Sequence, residues 1–364
     1  MLEGWVAYSI TALINAIGEN KLLPAPDCQC VVITIRSGYA RANASWVIGR
    51  IVRDYSYWQD QAVKNKTAAV VEDKRTQLAD QLKKKGKSTA DIERAKQDIK
   101  QAGLVLSVYD VVDTVKPGLP IQDWVYWSGA AVSLLQLGIA AIPCGKYGDW
   151  SILMVAAAGT LLAYSTGSID QWQAEKWACR RNGKDYVLTT GNGAQHAILI
   201  RGNGKSLNLE DLASGQLPVG KSAGLPTRLF LAVLALLWIL LLVTASGLTQ
   251  NSWYLLAVGG IGILHNATVA GWPRRPSAFG LHLHFHEVIG NFQVMQALYA
   301  VEQQYHRVGD SMVSTFFPGK LSHDEEIEWE RLRSITALKN ETQQGVPSKM
   351  GQTGSNREIL FSSS

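Results

Sequence analysis

Four stretches of this chain, residues 124–144, 150–168, 229–247 and 253–271, are apolar and contain no Asp, Glu, Lys or Arg. Each has roughly the 20 residues that a helix needs to cross a hydrocarbon layer of about 30 Å. A helix on a soluble core carries charge on its outward face, and these carry none. The pattern predicts an α-helical polytopic membrane protein with four transmembrane helices, arranged as two hairpins, 124–168 and 229–271. A further apolar piece, 5–17, is short for a crossing at about 13 residues. The segment 1–18 therefore reads as an interfacial helix or a partial span, and Glu3 stands where a secretory leader would carry positive charge.

The polar remainder falls into three segments, 19–123, 169–228 and 272–339, and its patterning predicts an α+β portion. Val31-Val32-Ile33-Thr34-Ile35 is β-branched throughout, and 104–109 is similar, so both read as strands. Apolar spacing around Trp46, Ile48, Ile51 and Tyr55 predicts one helix over 43–62. In 169–228, Gly-Asn-Gly triplets at 191–193 and 202–204 separate 186–190, 196–200 and 207–209, which predicts a three-stranded meander. Helical periodicity covers 290–308, an acidic helix follows at 324–332, and the Gln/Gly/Ser-rich stretch 340–364 is expected to be disordered.

Composition adds little, because 47% hydrophobic residues and a mean hydropathy of zero average an apolar part with a polar one. Charge adds more. The loop 169–228 holds Lys176, Arg180, Arg181, Lys184, Arg201, Lys205, Lys221 and Arg228, and Arg274-Arg275 directly follows the last apolar stretch. With four crossings the three polar segments share one side, and the basic excess makes that side cytosolic. Seven of the twelve tryptophans lie at or just beyond the ends of the apolar stretches, where amphipathic rings meet headgroups. The glycan-acceptor tripeptides at Asn43, Asn65 and Asn340 are expected to stay bare on that face. Cys28, Cys30, Cys144 and Cys179 make no disulfide framework, and Cys28-x-Cys30 lacks the spacing of common zinc or redox motifs.

Segment 64–100 holds eleven basic and six acidic residues, an excess equal to the +5 of the whole chain. It is built from good helix formers, broken at Lys85-Gly86-Lys87, and restarts on the capping sequence Ser88-Thr89-Ala90-Asp91. The readings are a solvated helical hairpin or an arm on anionic lipid. Without aromatics in the arm, nucleic acid is not an expected partner.

Candidate chemistry is sparse. Gly202-Asn203-Gly204-Lys205-Ser206 lacks the first glycine of a phosphate-binding loop, since Leu199 holds that position. His282, His284 and His286 alternate, and on a strand their imidazoles would share one face suited to Zn²⁺ or Fe²⁺; the alternative is a polar strand face. His265 and Asn266 are strongly polar groups deep in the fourth apolar stretch, as a functional site or as helix-to-helix hydrogen bonds. His196, on the second meander strand, is a candidate acid or base with Asp110, Glu175 or Asp54 as partner, or a structural histidine. No nucleophile elbow, dinucleotide fingerprint or paired-carboxylate signature is present, and no cofactor is implied.

Several runs resemble a family of uncharacterised multi-pass membrane proteins of filamentous fungi. They are Ser37-Gly38-Tyr39, Ser45-Trp46-Val47-Ile48-Gly49, Asp123-Trp124-Val125-Tyr126-Trp127-Ser128-Gly129 and Tyr147-Gly148-Asp149-Trp150. Further matches are Glu175-Lys176-Trp177-Ala178-Cys179-Arg180-Arg181, Gly191-Asn192-Gly193-Ala194-Gln195-His196-Ala197 and Phe316-Phe317-Pro318-Gly319-Lys320-Leu321. The resemblance implies an endomembrane such as the endoplasmic reticulum, and a loose association with secondary-metabolite pathways in which membrane helpers act beside a cytochrome P450. It carries over no catalytic residue.

Two functional expectations follow. In one, the protein takes part in small-molecule biosynthesis as a membrane-bound enzyme or as the partner of one, with His196, Glu175, Arg180 and Asp149 as candidate catalytic residues. On the inferred topology Asp149 lies on the opposite face from the other three. In the other, it is a non-catalytic scaffold that recruits cytosolic proteins through the basic arm and the acidic helix.

Overall fold

The structure is a computed structural model that describes residues 22–344, apart from 113, 117, 203, 205 and 216–223, together with 10–12, 14, 15 and 18. Most of segment 1–18 and all of 345–364 lie outside the described residues.

Four helices are long and apolar enough to cross a membrane: Trp124–Tyr147, Ser151–Lys176, Leu225–Ser246 and Ser252–Gly271. The second is interrupted near Ser168 and resumes as Asp170–Lys176. Between 11 and 33% of the most apolar window of each helix is buried in the protein. Leu134, Leu161, Leu264 and Trp253 are largely uncovered, an apolar surface compatible with contact to a lipid bilayer. The first helix packs on the second and fourth, and the third packs on the second. Trp238 is buried in the last of these contacts, against Val155, Leu241 and Ala245.

The polar segments assemble one six-stranded sheet, β1 (Val31–Thr34), β2 (Tyr39–Ala42), β3 (Leu104–Val111), β4 (Tyr186–Thr189), β5 (His196–Arg201) and β6 (Leu283–Asn291). The spatial order is β2-β1-β4-β5-β3-β6, antiparallel throughout except for the parallel interior pair β5–β3. The first apolar hairpin is inserted between β3 and β4, and the second between β5 and β6. β3 and β4 read as continuous apolar runs because both faces of the sheet are covered. On one face lies the helix Trp46–Arg53, whose Val47, Ile48 and Ile51 pack on Val32, Leu188, Ile198 and Ile200. On the other, Leu298, Met312 and Trp329 from three C-terminal helices pack on Ile33, Leu106, Val187 and Leu199.

Several expectations change. The region 43–62 is not one helix; it breaks at Asp54, whose carboxylate accepts from Arg274 N and pairs with Arg53, and Asp60 caps the next helix by accepting from Ala62 N at 2.8 Å. The meander has two strands rather than three, because Asn208 accepts from Asp211 N at 3.0 Å and starts the helix Leu209–Ser214. Residues 290 and 291 end β6, so the following helix begins only at Val294. The acidic helix runs on from His323 to Gln344, past the expected onset of disorder at 340. The basic hairpin forms as helices Gln61–Lys84 and Thr89–Asp98, with Gly86 at φ +69° in the turn and Ser88 accepting from Asp91 N at 3.2 Å.

An ionic clasp joins the sheet to the helical bundle. Arg274 makes two bonds, of 2.8 and 2.7 Å, to Asp123, which caps the first apolar helix by accepting from Tyr126 N. Arg50 donates to the carbonyl of Ala270 at the end of the fourth helix, at 2.8 Å, and pairs with Asp27 at 3.0 Å. Planar, two-pronged guanidinium–carboxylate bonds of this kind are stronger and more directional than ordinary surface ion pairs.

Candidate functional site

Residues of β5 alternate between faces, so His196 lies on the same side as Ile198 and Ile200, beneath the Trp46–Arg53 helix. There it lines a cavity of about 420 Å³ with Arg53, Tyr55, Ser56, Gln101 and Thr190. The helix break at Asp54 turns Tyr55 onto the imidazole, with ring centroids 5.4 Å apart at 63°. The Tyr55 hydroxyl donates to Ser107 Oγ at 2.6 Å, and Ser107 donates to the Ala197 carbonyl at 3.3 Å. Two-bond anchoring of this kind fixes the ring that covers His196.

Burial lowers the His196 pKa below its ordinary value, so the ring is neutral at pH 7. Its Nδ1 is buried and has no hydrogen-bond partner. Burial likewise raises the Tyr55 and Tyr109 hydroxyls, which stay protonated. Arg53 is held charged, chiefly by its bond to Asp54. The cavity thus combines a neutral imidazole, a fixed cation and several hydroxyl and amide groups. The Arg53 guanidinium is engaged by Asp54 (2.7 Å), Asp27 (3.1 Å) and the Ala270 carbonyl (3.3 Å), so the group left to do chemistry in the cavity is the imidazole, which can move a proton.

The sign of the histidine shift gives a testable pH dependence. A folded-state pKa below the unfolded value means that the unfolded chain binds more protons in acid. The contribution is complete above about pH 6.5 and is lost as pH falls through the folded value. His196→Gln is expected to flatten the fall in melting temperature between about pH 7 and pH 5. An unchanged slope in that variant would refute the assignment.

The other expected site residues do not join His196. Glu175 is buried and accepts from Leu22 N (2.7 Å), Leu23 N (2.9 Å) and Gln171 Nε2 (2.9 Å), so it anchors the chain at Leu22-Leu23. Arg180 grips Asp211 with bonds of 2.6 and 2.8 Å. Asp149 lies in the turn between the first two apolar helices, where it accepts from Ser151 N at 3.0 Å and from Asn251 of the other hairpin turn at 2.9 Å. Of the partners considered for His196, Asp110 instead takes Arg201 (2.5 and 2.8 Å), and Asp54 takes Arg53 and Arg274.

The three alternating histidines are not equivalent. His282 precedes β6 with Nε2 at 2.9 Å from the Leu119 carbonyl, whereas His286 sits at a bulge with Nδ1 3.3 Å from Asp110. Among the described residues no three His, Cys, Asp or Glu side chains converge as metal ligands, and this triplet is not brought together.

Sequence reasoning missed Arg53, Tyr55 and Ser107. Tyr55 counts as an apolar helix position by spacing. Ser107, a lone hydroxyl within Leu-Val-Leu-Ser-Val-Tyr, was the available signal for a buried polar contact.

No protein-family profile, curated protein or solved structure matches this chain.

Proposed function

We propose that the protein is a multi-pass protein of an internal membrane, with the sheet on the cytosolic side. On this reading it acts in the biosynthesis of an apolar small molecule, as an enzyme or as the partner of a membrane-bound enzyme. The observation that carries the reading is the cavity at His196, lined also by Arg53, Tyr55 and Ser56, where a neutral imidazole has an unpaired Nδ1. Its covering helix is the one whose Arg50 and Arg53 reach Ala270 at the end of the fourth apolar helix, which supports a substrate arriving from the bilayer. The resemblance to fungal membrane proteins and the basic residues beside the apolar helices support the compartment and the orientation.

The test compares metabolite extracts of the producing organism with the gene intact, deleted, or carrying His196→Gln at equal protein level. Loss of the same product in the deletion and the variant is expected. An unchanged extract in the deletion would sink the biosynthetic reading. A product kept by His196→Gln would remove the imidazole from the chemistry.

A scaffold role is the second reading, favoured by the exposed Lys83, Lys84, Lys85 and Lys87 at the tip of the basic hairpin. These lysines also suit anionic lipid, each contributing about 1 kcal/mol near such a surface. Replacing all four by Gln is expected to weaken binding to phosphatidylserine vesicles while leaving product formation intact, which a scaffold would not allow.

A further inference from the structure

We propose that the four apolar helices line a second ligand site, open on one side, for an uncharged and largely apolar molecule with a hydrogen-bonding end, a hydroxyl or a carbonyl. A cavity of about 690 Å³ lies among them and is lined by residues of all four. That volume is in the range of small-molecule sites. It exists because Gly129, Gly159, Gly259 and Gly260 stand where larger side chains would close the gap. A Cβ placed on Gly129 or Gly260 meets nothing within 4 Å, so the space beside each is open.

Small residues alone would make only a crevice, and the polar groups are what point to a ligand. Asn266 lines the cavity with its side chain exposed, and no hydrogen bond reaches it. A carboxamide in hydrocarbon without a partner is unfavourable, and a ligand hydroxyl or carbonyl would satisfy it. Beside it, His265 Nε2 is 3.0 Å from Ser128 Oγ, which leaves the other ring nitrogen for a second contact. Asn266 is five residues from the end of the fourth helix, the end that carries the ionic clasp, so the polar end of the cavity is turned toward the sheet. No Asp, Glu, Lys or Arg lines the space, which excludes a charged or zwitterionic headgroup. An uncharged molecule whose hydroxyl or carbonyl meets Asn266 fits this lining better than a charged headgroup does.

The full chain, reconstituted in phosphatidylcholine nanodiscs, is irradiated with a diazirine-bearing sterol, a diazirine-bearing fatty alcohol or a diazirine-bearing phosphatidylcholine, and labelled peptides are mapped. Labelling of the second and fourth helices by the sterol or the alcohol is expected, with little from the phospholipid. Gly129→Leu and Gly260→Leu fill the space and should each cut labelling about tenfold, and Asn266→Leu should weaken it similarly. Gly138→Leu, whose Cβ is equally unobstructed outside the cavity, should leave labelling intact and controls for folding. His196→Gln should also leave it intact, which separates this site from the reading above. The proposal is overturned if neither single-headed probe labels these helices, if the filled variants label normally, or if the phospholipid labels the same peptides equally.

Discussion

Gly103→Ala is expected to cost about 3–5 kcal/mol, enough to abolish stable pairing of β3 with β6. Gly103 has φ +64°, a region that side chains disfavour, and it lies against the last residues of β6. An alanine methyl there would overlap the Asn291 carbonyl oxygen and crowd Phe292 Cα, both backbone, so no rotamer change relieves it. Gly86→Ala provides the contrast. It has a similar φ of +69°, but its Cβ would meet nothing within 4 Å, so only the left-handed strain of about 1 kcal/mol applies. Melting curves of the two variants in the same detergent isolate the overlap. If both lost the same few degrees, the close approach of Gly103 to β6 would be refuted.

Glu175→Ala should destabilise by about 2–4 kcal/mol, since removing a buried acceptor leaves partners desolvated and unpaired. The Leu22 and Leu23 amides both end on one carboxylate oxygen, while the other oxygen takes Gln171. Hydrogen exchange at Leu22 and Leu23 should rise sharply in the alanine variant and only modestly in Glu175→Gln, which keeps an acceptor oxygen. This readout separates anchoring from catalysis. A Glu175→Ala protein with normal protection at both amides and lost product formation would restore the chemical role expected from the sequence.

The parts of the fold that were legible are those whose signal is local. Four charge-free runs of suitable length announce the apolar helices, and β-branched or apolar runs announce β1, β3, β4 and β5. β2, Tyr-Ala-Arg-Ala, was missed because it is an exposed edge strand with little burial to enforce alternation. β6 was only partly read. Its bulge at His286 shifts the alternation midway, and Gly290-Asn291 looked like a helix start. The parallel pairing of β3 with β5 joins residues about ninety positions apart across two apolar helices, and no local pattern encodes it. At the site, His196 was legible as an ionisable group beside a glycine turn. Its real neighbours, Arg53 and Tyr55, depend on a helix break enforced by Arg274, some 220 residues away.

Because both apolar hairpins interrupt the strand order, synthesis has a fixed chronology. When β3 leaves the ribosome its two neighbours do not yet exist. One follows only after the first hairpin, and the other after the second. A nascent β3 therefore waits with both edges unpaired until the first hairpin and β5 have been made, and with one edge still unpaired until the second hairpin and β6 follow, which is the condition under which strands aggregate. Shielding of that segment until the final strand arrives is therefore expected to govern how much of the protein accumulates.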